Sequence, residues 1–246
     1  MLEDDFNDVI AKAIRGTSFD ISSLNLNMDK LSLCLKGKFD AEIISALAPV
    51  IGLDTEKLIQ LPQYQPQATL PDEVKAFISP FGHLGVNSFV VKGDDHILIF
   101  DTGTDAHSCI NYISRHPDKE KYLFITHPHP DHVGCKQTLN SHIKDCKTLK
   151  TNVKQQFGNL TLSTIDVAGH HPDAIAYFIE GLSTPVCISG DAIFAGSIGG
   201  VAPSLYKEAL SNIKKNIFTL PPETLLLNGH GPSTSVEQEI KNNPFF

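Results

Sequence analysis

The feature that most constrains this chain is a dense run of metal-binding side-chain types between residues 126 and 134. The run reads Thr-His-Pro-His-Pro-Asp-His-Val-Gly, so that His127, His129, Asp131 and His132 fall within six positions directly after an apolar stretch. With only 11 histidines in 246 residues, a His-x-His-x-Asp-His pattern is expected by chance about 0.002 times in such a chain. The segment therefore predicts a site built for metal.

The spacing within this segment predicts two adjacent metal sites. On a loop that follows a strand, His127 and His129 can turn toward one point, while Asp131 and His132 face a second. Imidazole nitrogen and carboxylate oxygen suit zinc, iron or manganese, whereas calcium and magnesium prefer oxygen ligands. Structural zinc sites usually close with four ligands, commonly cysteines, so this cysteine-free cluster favours a catalytic centre that keeps one position open.

Three further segments supply candidate ligands, because each follows an apolar run and sets a glycine beside a metal-binding residue. They contain His170, Asp191 and His230. Asp191 is the natural bridge, since one carboxylate can give an oxygen to each of two cations about 3.5 to 4 Å apart. The neighbouring glycines let the backbone turn sharply and approach the metals closely. Five histidines that stand alone are expected to have structural roles: His83, His96, His107, His116 and His142.

The composition of the chain indicates its cellular location and argues against some classes of binding partner. The chain has 246 residues, a hydrophobic content of 41% and a net charge of -8, which fits a globular protein and disfavours binding to nucleic acid or anionic membranes. No stretch approaches the about 20 apolar residues of a membrane helix. The acidic start, Met1 to Asp5, lacks the features of a secretory signal, so a cytoplasmic protein is expected. The five cysteines have no C-x-x-C spacing and are expected to be reduced.

Two regions of different character flank a connector rich in proline and glutamine. Residues 1–65 are expected to form a small all-helical domain, residues 66–72 a linker, and residues 73–246 an α/β (α+β) domain. Strands are predicted at Val86–Val91, Ile97–Phe100, Tyr122–Thr126, Leu160–Ile165, Ala174–Ile179 and Val186–Ser189. Helices are predicted at Ala106–Ser114, Cys135–Asp145 and Leu205–Ile217.

The ordered set of motifs resembles the metallo-β-lactamase superfamily. The motifs are Phe100-Asp101-Thr102-Gly103, the segment 127–134, Gly169-His170, Gly190-Asp191 and Gly229-His230-Gly231. The stretch from Asp191 to Gly199 and the ending Asn243-Pro244-Phe245-Phe246 are similar to the hydroxyacylglutathione hydrolase (glyoxalase II) branch.

The resemblance implies an αββα sandwich with the metals at one edge. It implies a first metal on His127, His129 and His170, and a second on Asp131, His132 and His230, with Asp191 bridging them. It also implies that Asp101 lies behind the ligands and orients them.

The function implied is a hydrolase with two divalent transition metals, zinc first, with iron and manganese as alternatives. A hydroxide bridging the metals would attack the carbonyl of a thioester such as an acyl-glutathione, with Asp131 and Asp191 as the catalytic residues. A thiolate leaving group needs little protonation, which suits a site with no obvious extra acid. The branch often carries a basic residue where this chain has Gly200, so recognition of glutathione itself stays open.

Three alternatives remain open. Members of the superfamily with a matching ligand set are mononuclear iron dioxygenases acting on persulfides, and lactone hydrolysis is a second enzymatic alternative. The third is a metabolite-sensing regulator whose N-terminal helices bind DNA, since residues 31–61 faintly resemble a helix-turn-helix unit. The basic content of those residues is thin, so a packing unit, or a contact for a homodimer, is the favoured prediction for residues 1–65.

Overall fold

The computed structural model describes residues 1–82 and 84–246, so the prediction for His83 lies outside the described residues. Short helices open the chain: α1 (Phe6–Thr17), α2 (Met28–Leu35), α3 (Ala41–Leu47) and α4 (Thr55–Gln60). At the start of α1 the backbone N–H of Asp5 donates to the Asp8 carboxylate at 3.1 Å. This hydrogen bond gives an acceptor to a backbone N–H group that has none within the helix. The apolar face of α1 is buried.

Two β-sheets follow these helices. The first has the strand order β1 (Val74–Phe81), β2 (Leu84–Lys92), β3 (His96–Phe100), β4 (Glu120–Phe124), β5 (Asp145–Lys147). The second has the order β13 (Thr234–Ser235), β12 (Leu225–Asn228), β9 (Val186–Gly190), β8 (Ile175–Glu180), β7 (Leu160–Asp166), β6 (Lys154–Phe157). A small hairpin is formed by β10 (Ile193–Phe194) and β11 (Ser197–Ile198). The pairs β3–β4, β4–β5 and β9–β12 are parallel.

Alternation along the strands decides which side chains fill each layer. In β3, Leu98 and Phe100 belong to the core shared by the two sheets, whereas Ile97 and Ile99 belong to the cluster on the opposite face. This is the period of two that a pleated strand imposes, and it shows that both faces of the first sheet are covered.

Helices cover the outer face of each sheet. The cluster outside the first sheet includes residues of α5 (His107–Ile113) and α7 (Lys136–Asn140). The cluster outside the second includes residues of α8 (Tyr206–Asn212), of the π-helical turn Ile213–Ile217, of α9 (Val236–Asn242) and of the N-terminal helices. The predicted αββα sandwich with helices at its N-terminal end is confirmed.

The N-terminal helices share a hydrophobic cluster with the second sheet. Ile10 of α1 and Ile44 of α3 lie in the same buried cluster as Ala176 and Phe178 of β8. The helices therefore bury apolar surface against the sandwich itself. The division into residues 1–65, 66–72 and 73–246 stays a prediction, as do the DNA-binding and dimer roles considered for the helices.

One predicted helix is wrong in extent. The prediction of a helix at Cys135–Asp145 gives way to α7, which ends at Asn140, and to β5, which pairs in parallel with β4 from Tyr122 to Phe124. Pairing at the sheet edge outweighs the local helical spacing of this stretch. The six predicted strands correspond to β2, β3, β4, β7, β8 and β9.

The structure also bears on two features that the composition raises, membrane-spanning helices and disulfide bonds. Over residues 1–82 and 84–246, no helix combines the length and the apolar character that crossing a bilayer would require. Within the same residues, each of the five cysteines carries a free thiol.

Candidate metal centre

The predicted ligands lie at one edge of the sandwich, in loops that follow the strands. His127 and His129 follow β4, and a single helical turn, α6 (Pro130–Val133), then carries Asp131 and His132. The other loops follow β7, β9 and β12. Strands β7 and β9 both run antiparallel to β8, and β12 runs parallel to β9, so the three carboxyl ends share one edge. The structure brings together all seven predicted residues: His127, His129, Asp131, His132, His170, Asp191 and His230.

One group of three imidazoles converges at close range. The Nδ1 atom of His129 lies 2.9 Å from Nε2 of His127 and 2.9 Å from Nε2 of His170. The ligand atoms of this group all lie within 4.8 Å of one another. These residues are the set expected on a first metal.

A second group combines one carboxylate with two imidazoles. The Oδ2 atom of Asp131 lies 3.2 Å from Nε2 of His230 and 3.6 Å from Nε2 of His132. The three side chains are buried. They are the set expected on a second metal.

The Asp191 carboxylate lies between the two groups. Its Oδ2 atom is 3.4 Å from Nε2 of His170 and 3.5 Å from Nε2 of His230, and its Oδ1 atom is 3.3 Å from Nε2 of His132. One carboxylate thus reaches imidazoles of both groups, which is the arrangement that a bridging ligand requires.

The donor set fits divalent transition metals. Ligands at the usual distances of a tetrahedral zinc ion lie roughly 3.3 Å from one another. Several donor pairs of this site lie 2.9 to 3.5 Å apart, and the donor atoms of each group of three all lie within 4.8 Å of one another. Nε2 of His132 and Oδ1 of Asp191 are buried without a hydrogen-bond partner among the described residues. Buried polar atoms without a partner are costly, and a cation would satisfy both.

Hydrogen bonds to the outer nitrogens fix the tautomers of the histidines. Nδ1 of His170 donates to the Gly200 carbonyl at 2.7 Å, and Nδ1 of His230 donates to the Gly85 carbonyl at 2.7 Å. A carbonyl accepts only, so the proton must lie on Nδ1 when the ring is neutral. The lone pair of Nε2 is then left facing the centre, as metal binding requires.

Asp101 performs the same role for His132 and His127. Its Oδ2 atom lies 2.8 Å from Nδ1 of His132 and also accepts the hydroxyl proton of Thr126 at 2.8 Å. The Thr126 hydroxyl has one proton and donates it to Asp101. It can therefore only accept a hydrogen bond from Nδ1 of His127, which lies 3.0 Å away. Asp101 adopts a left-handed φ of 56°, a conformation that is uncommon outside glycine and that often marks functional residues.

The surroundings of His127 and His132 shift the pKa values of these two imidazoles in opposite directions. Burial lowers the pKa of His127 to about 2, and the nearby imidazole of His132 adds to this shift. Burial also works to lower the pKa of His132, but the carboxylates of Asp101 and Asp191 outweigh it and raise that pKa to about 10. Burial works to raise the pKa of Asp191, yet contacts with His132 and His230 hold it well below its ordinary value. Burial likewise works to lower the pKa of His230, but the contact with Asp191 outweighs it and raises that pKa. The centre therefore holds a charged carboxylate beside two imidazoles of raised basicity.

A glycine beside His230 permits the close approach of the strand ends. A Cβ atom placed on Gly229 would overlap Oδ1 of Asp191 and lie 2.8 Å from Cε1 of His132. No side chain larger than hydrogen fits there without displacing a predicted ligand. The Gly-His-Gly motif thus has a packing reason in this fold.

Sequence reasoning missed a buried polar network that supports the loop after Asp191. The Glu239 carboxylate in α9 is fully buried and accepts hydrogen bonds from Tyr64, Thr234, Asn243 and the backbone N–H of Gly196. Gly196 lies in the turn between β10 and β11, in the hairpin that begins two residues after Asp191. Asn243 belongs to a motif of the family resemblance, whereas no sequence signal points to Glu239.

Comparison with known proteins finds one family model and several curated relatives that are similar to this chain. The model of the metallo-beta-lactamase superfamily matches residues 81–149. A probable metallo-hydrolase of Bacillus subtilis is 27% identical over 201 residues, covering 68% of this chain and 94% of that protein. A hydroxyacylglutathione hydrolase of Haemophilus influenzae is 27% identical over 195 residues, covering 64% of this chain and 91% of that protein.

A solved structure agrees with these relatives. The B3 metallo-beta-lactamase BLEG-1 has a TM-score of 0.59 at 27% identity, covering 70% of this chain and 98% of that chain. The likeness to metallo-hydrolases supports an enzyme, and the His and Asp clusters support metal binding. The family model, the two relatives and the solved structure support the metallo-β-lactamase superfamily, and the second relative supports its hydroxyacylglutathione hydrolase branch.

Proposed function

We propose that this protein is a hydrolase that uses two divalent transition metal ions, zinc first, to cleave a thioester. The observation that carries the proposal is the pair of three-residue donor groups that share the Asp191 carboxylate. His127, His129 and His170 would hold the first ion, and Asp131, His132 and His230 the second, each joined by Asp191. The fixed Nε2 lone pairs and the buried polar atoms without partners support this ligand set.

The bound ions would supply a water whose pKa falls from about 15.7 toward ~7, together with positive charge for a developing oxyanion. The residues of the chain do the rest. Asp191 fixes the separation of the two groups, and the second oxygen of Asp131 can hold the proton that the attacking water gives up. Asp101 keeps the Nδ1 protons of His132 and, through Thr126, of His127 on the outer side of each ring.

A thioester is the favoured substrate because its thiolate leaving group needs little protonation. A thiolate departs without a strong proton donor, and the residues that converge in this site are the seven donors themselves. A relative of similar extent carries the name hydroxyacylglutathione hydrolase, which supports the same chemistry.

Room for a substrate exists beside His127, one member of the first donor group. A cavity of about 710 Å³ opens next to His127 and Pro128. Ile125, Leu149 and Tyr177 give it apolar walls, and lysine residues also line it. An acyl group or the arm of a carrier thiol would find both apolar contact and positive charge there.

The proposal is tested by metal analysis followed by a substrate panel. We expect the purified protein to contain two transition metal equivalents and to hydrolyse S-lactoylglutathione or another acyl thioester, with loss of turnover on chelation and recovery on adding zinc. One iron per chain with oxygen uptake on glutathione persulfide would replace the proposal with the dioxygenase alternative. Turnover of lactones alone would replace it with the lactonase alternative.

Zinc binding at neutral pH is expected to release a proton from His132. The pKa of His132 is raised to about 10, so the ring is positive at pH 7.5 in the metal-free protein. Asp101 retains the Nδ1 proton, so the ion must displace the proton on Nε2. Zinc affinity should therefore rise with pH until the pH reaches about 10.

Calorimetric zinc titrations in buffers of different ionisation enthalpy measure this release. We expect about one proton or more per chain at pH 7.5. The Asp101→Asn variant removes the charge that holds the proton, so it should release less and should also bind zinc about 10- to 100-fold more weakly. A wild-type protein that released no proton would contradict the expectation.

A further inference from the structure

The end of the β10–β11 hairpin lies directly against the His170 ring. A Cβ atom placed on Gly199 would overlap the backbone carbonyl oxygen of Asp191 and lie 3.1 Å from Nδ1 of His170. The carbonyl of the next residue, Gly200, accepts the Nδ1 proton of that ring at 2.7 Å. The position of residues 198–200 therefore decides whether the His170 ring keeps its Nε2 lone pair toward the centre.

Lys12 of α1 holds this end of the hairpin. Its Nζ donates to the carbonyl of Ile198 at 2.7 Å, although the two residues are 186 positions apart in sequence. The same Nζ lies 5.1 Å from the centre of the Phe194 ring on β10, so one ammonium group contacts both strands of the hairpin. The Ser197 hydroxyl reaches the Ile198 carbonyl only at 3.4 Å, so Lys12 makes the shorter side-chain hydrogen bond to it.

The position of Lys12 is itself fixed. Its ammonium group forms an ion pair with the Asp4 carboxylate, and the two side chains are only 19% and 12% exposed. A charged donor that is paired and shielded in this way keeps its geometry better than a solvated surface lysine does. Val9 and Ala13 of the same helix are fully buried, so α1 cannot move away from the hairpin without exposing part of the core.

We propose that Lys12 is a positioning residue of the metal centre, which holds Ile198 in place so that the Gly200 carbonyl keeps the His170 ring turned toward the first ion. This inference rests on the proposed function, because His170 is a ligand only if that site binds metal. Lys12 is not one of the seven predicted donors and acts through the backbone of residues 198–200. The inference gives α1 a role at the metal site, whereas the sequence predicts only a packing unit or a dimer contact for residues 1–65.

The variants separate the contact with Ile198 from the ion pair with Asp4. Lys12→Met removes both and leaves the Asp4 carboxylate without its partner. The double variant Asp4→Asn/Lys12→Met removes that isolated charge as well, while the Ile198 carbonyl still lacks the ammonium donor. Asp4→Asn alone keeps the contact with Ile198, and Lys12→Arg keeps a cationic donor for both partners.

Two readouts follow the site without any substrate. Nitrogen-15 spectra of the neutral histidine rings in the metal-free protein report the fraction of His170 that carries its proton on Nδ1, and competition against a chelator reports the zinc affinity. We expect the double variant to change the ratio of the two His170 tautomers about tenfold in favour of the Nε2 proton and to bind zinc about 10-fold more weakly. Asp4→Asn and Lys12→Arg should stay within about threefold of wild type in both readouts.

Three outcomes would overturn the inference. The first is a double variant that keeps the wild-type tautomer ratio and zinc affinity. The second is a loss in Lys12→Met that the double variant restores, because the isolated Asp4 charge would then be its cause. The third is a wild-type His170 ring with its proton on Nε2. The tautomer is measured without metal and without a thioester, so this inference and the proposed hydrolysis fail separately.

Discussion

Replacement of Asp191 by asparagine is expected to reduce the metal content from two ions to at most one per chain and to abolish hydrolysis. The carboxylate oxygens of Asp191 lie 3.3 to 3.5 Å from the Nε2 atoms of three imidazoles that belong to both donor groups. Asparagine keeps one oxygen but would present an NH₂ group, which is not a metal ligand, to one of the two donor groups. Outer residues that only orient metal ligands cost about 10- to 100-fold when removed, and loss of the shared ligand should cost more.

The measurement combines elemental analysis with initial rates on the best thioester of the panel. Asp118→Asn is the matched control, because Asp118 is exposed and precedes β4, whereas the ligands follow the other end of that strand; it should retain both ions and full activity. Circular dichroism should show the same secondary structure in both variants. A variant at Asp191 that kept two ions and more than a tenth of the activity would remove Asp191 from the bridge and with it the basis of the binuclear proposal.

The sequence was sufficient for those parts of the site whose chemistry is local. The segment from His127 to His132 packs its ligand types within six positions, and each remaining candidate follows an apolar run that the structure shows as a strand. In a layered sheet fold such runs end at a common edge, so the side chains that follow them meet. The convergence of the seven residues could therefore be predicted without coordinates.

Residues that act across long sequence distances could not be found in this way. Glu239 lies on a short helix beside Glu237 and Gln238, a pattern typical of a solvent-exposed face. Its partners Gly196 and Tyr64 are 43 and 175 residues away in sequence. Lys12 is likewise one of the charged residues of a helix at the start of the chain, and only the fold places it beside Ile198. Strand β5 was not predicted for the same reason. It pairs with β4, which is distant from it in sequence.

The buried carboxylate of Glu239 links three separate parts of the chain to the loop after Asp191. One oxygen, Oε2, accepts from the backbone N–H of Gly196 and from Nδ2 of Asn243, both at 2.9 Å. The other, Oε1, accepts from the hydroxyls of Tyr64 and Thr234 at 2.7 and 2.8 Å. The two hydroxyls can reorient and accept instead, but the backbone and amide groups can only donate. Nδ2 of Asn243 also donates to the Ser197 carbonyl at 2.8 Å. The backbone N–H of Gly196 and the second N–H of the Asn243 amide therefore depend on Glu239 for their acceptor.

Replacement of Glu239 by methionine is expected to lower the free energy of unfolding by about 2–6 kcal/mol, since two buried donors are left unsatisfied at about 1–3 kcal/mol each. Glu239→Gln should cost less than half as much, because its amide oxygen can serve Gly196 and Asn243 while its NH₂ group donates to the hydroxyls. Urea unfolding of the metal-free proteins measures the difference. The control Glu237→Met changes an exposed residue of the same helix and should stay within about 0.5 kcal/mol of wild type.

Loss of the Glu239 carboxylate should also weaken metal binding. Its hydrogen bond with Gly196 fixes the turn of the hairpin that begins two residues after Asp191. With that turn released, the orientation of Asp191 is less restricted, and zinc should bind about 10-fold more weakly to the Glu239→Met variant than to the wild type. The Glu237→Met control should bind zinc as the wild type does. If Glu239→Met lost stability but kept the full zinc affinity, the network would stabilise the fold without positioning the ligand. If it also kept its stability, the hydrogen bonds of the Glu239 carboxylate would contribute little to either, because water or a rearranged partner would satisfy Gly196 and Asn243 equally well.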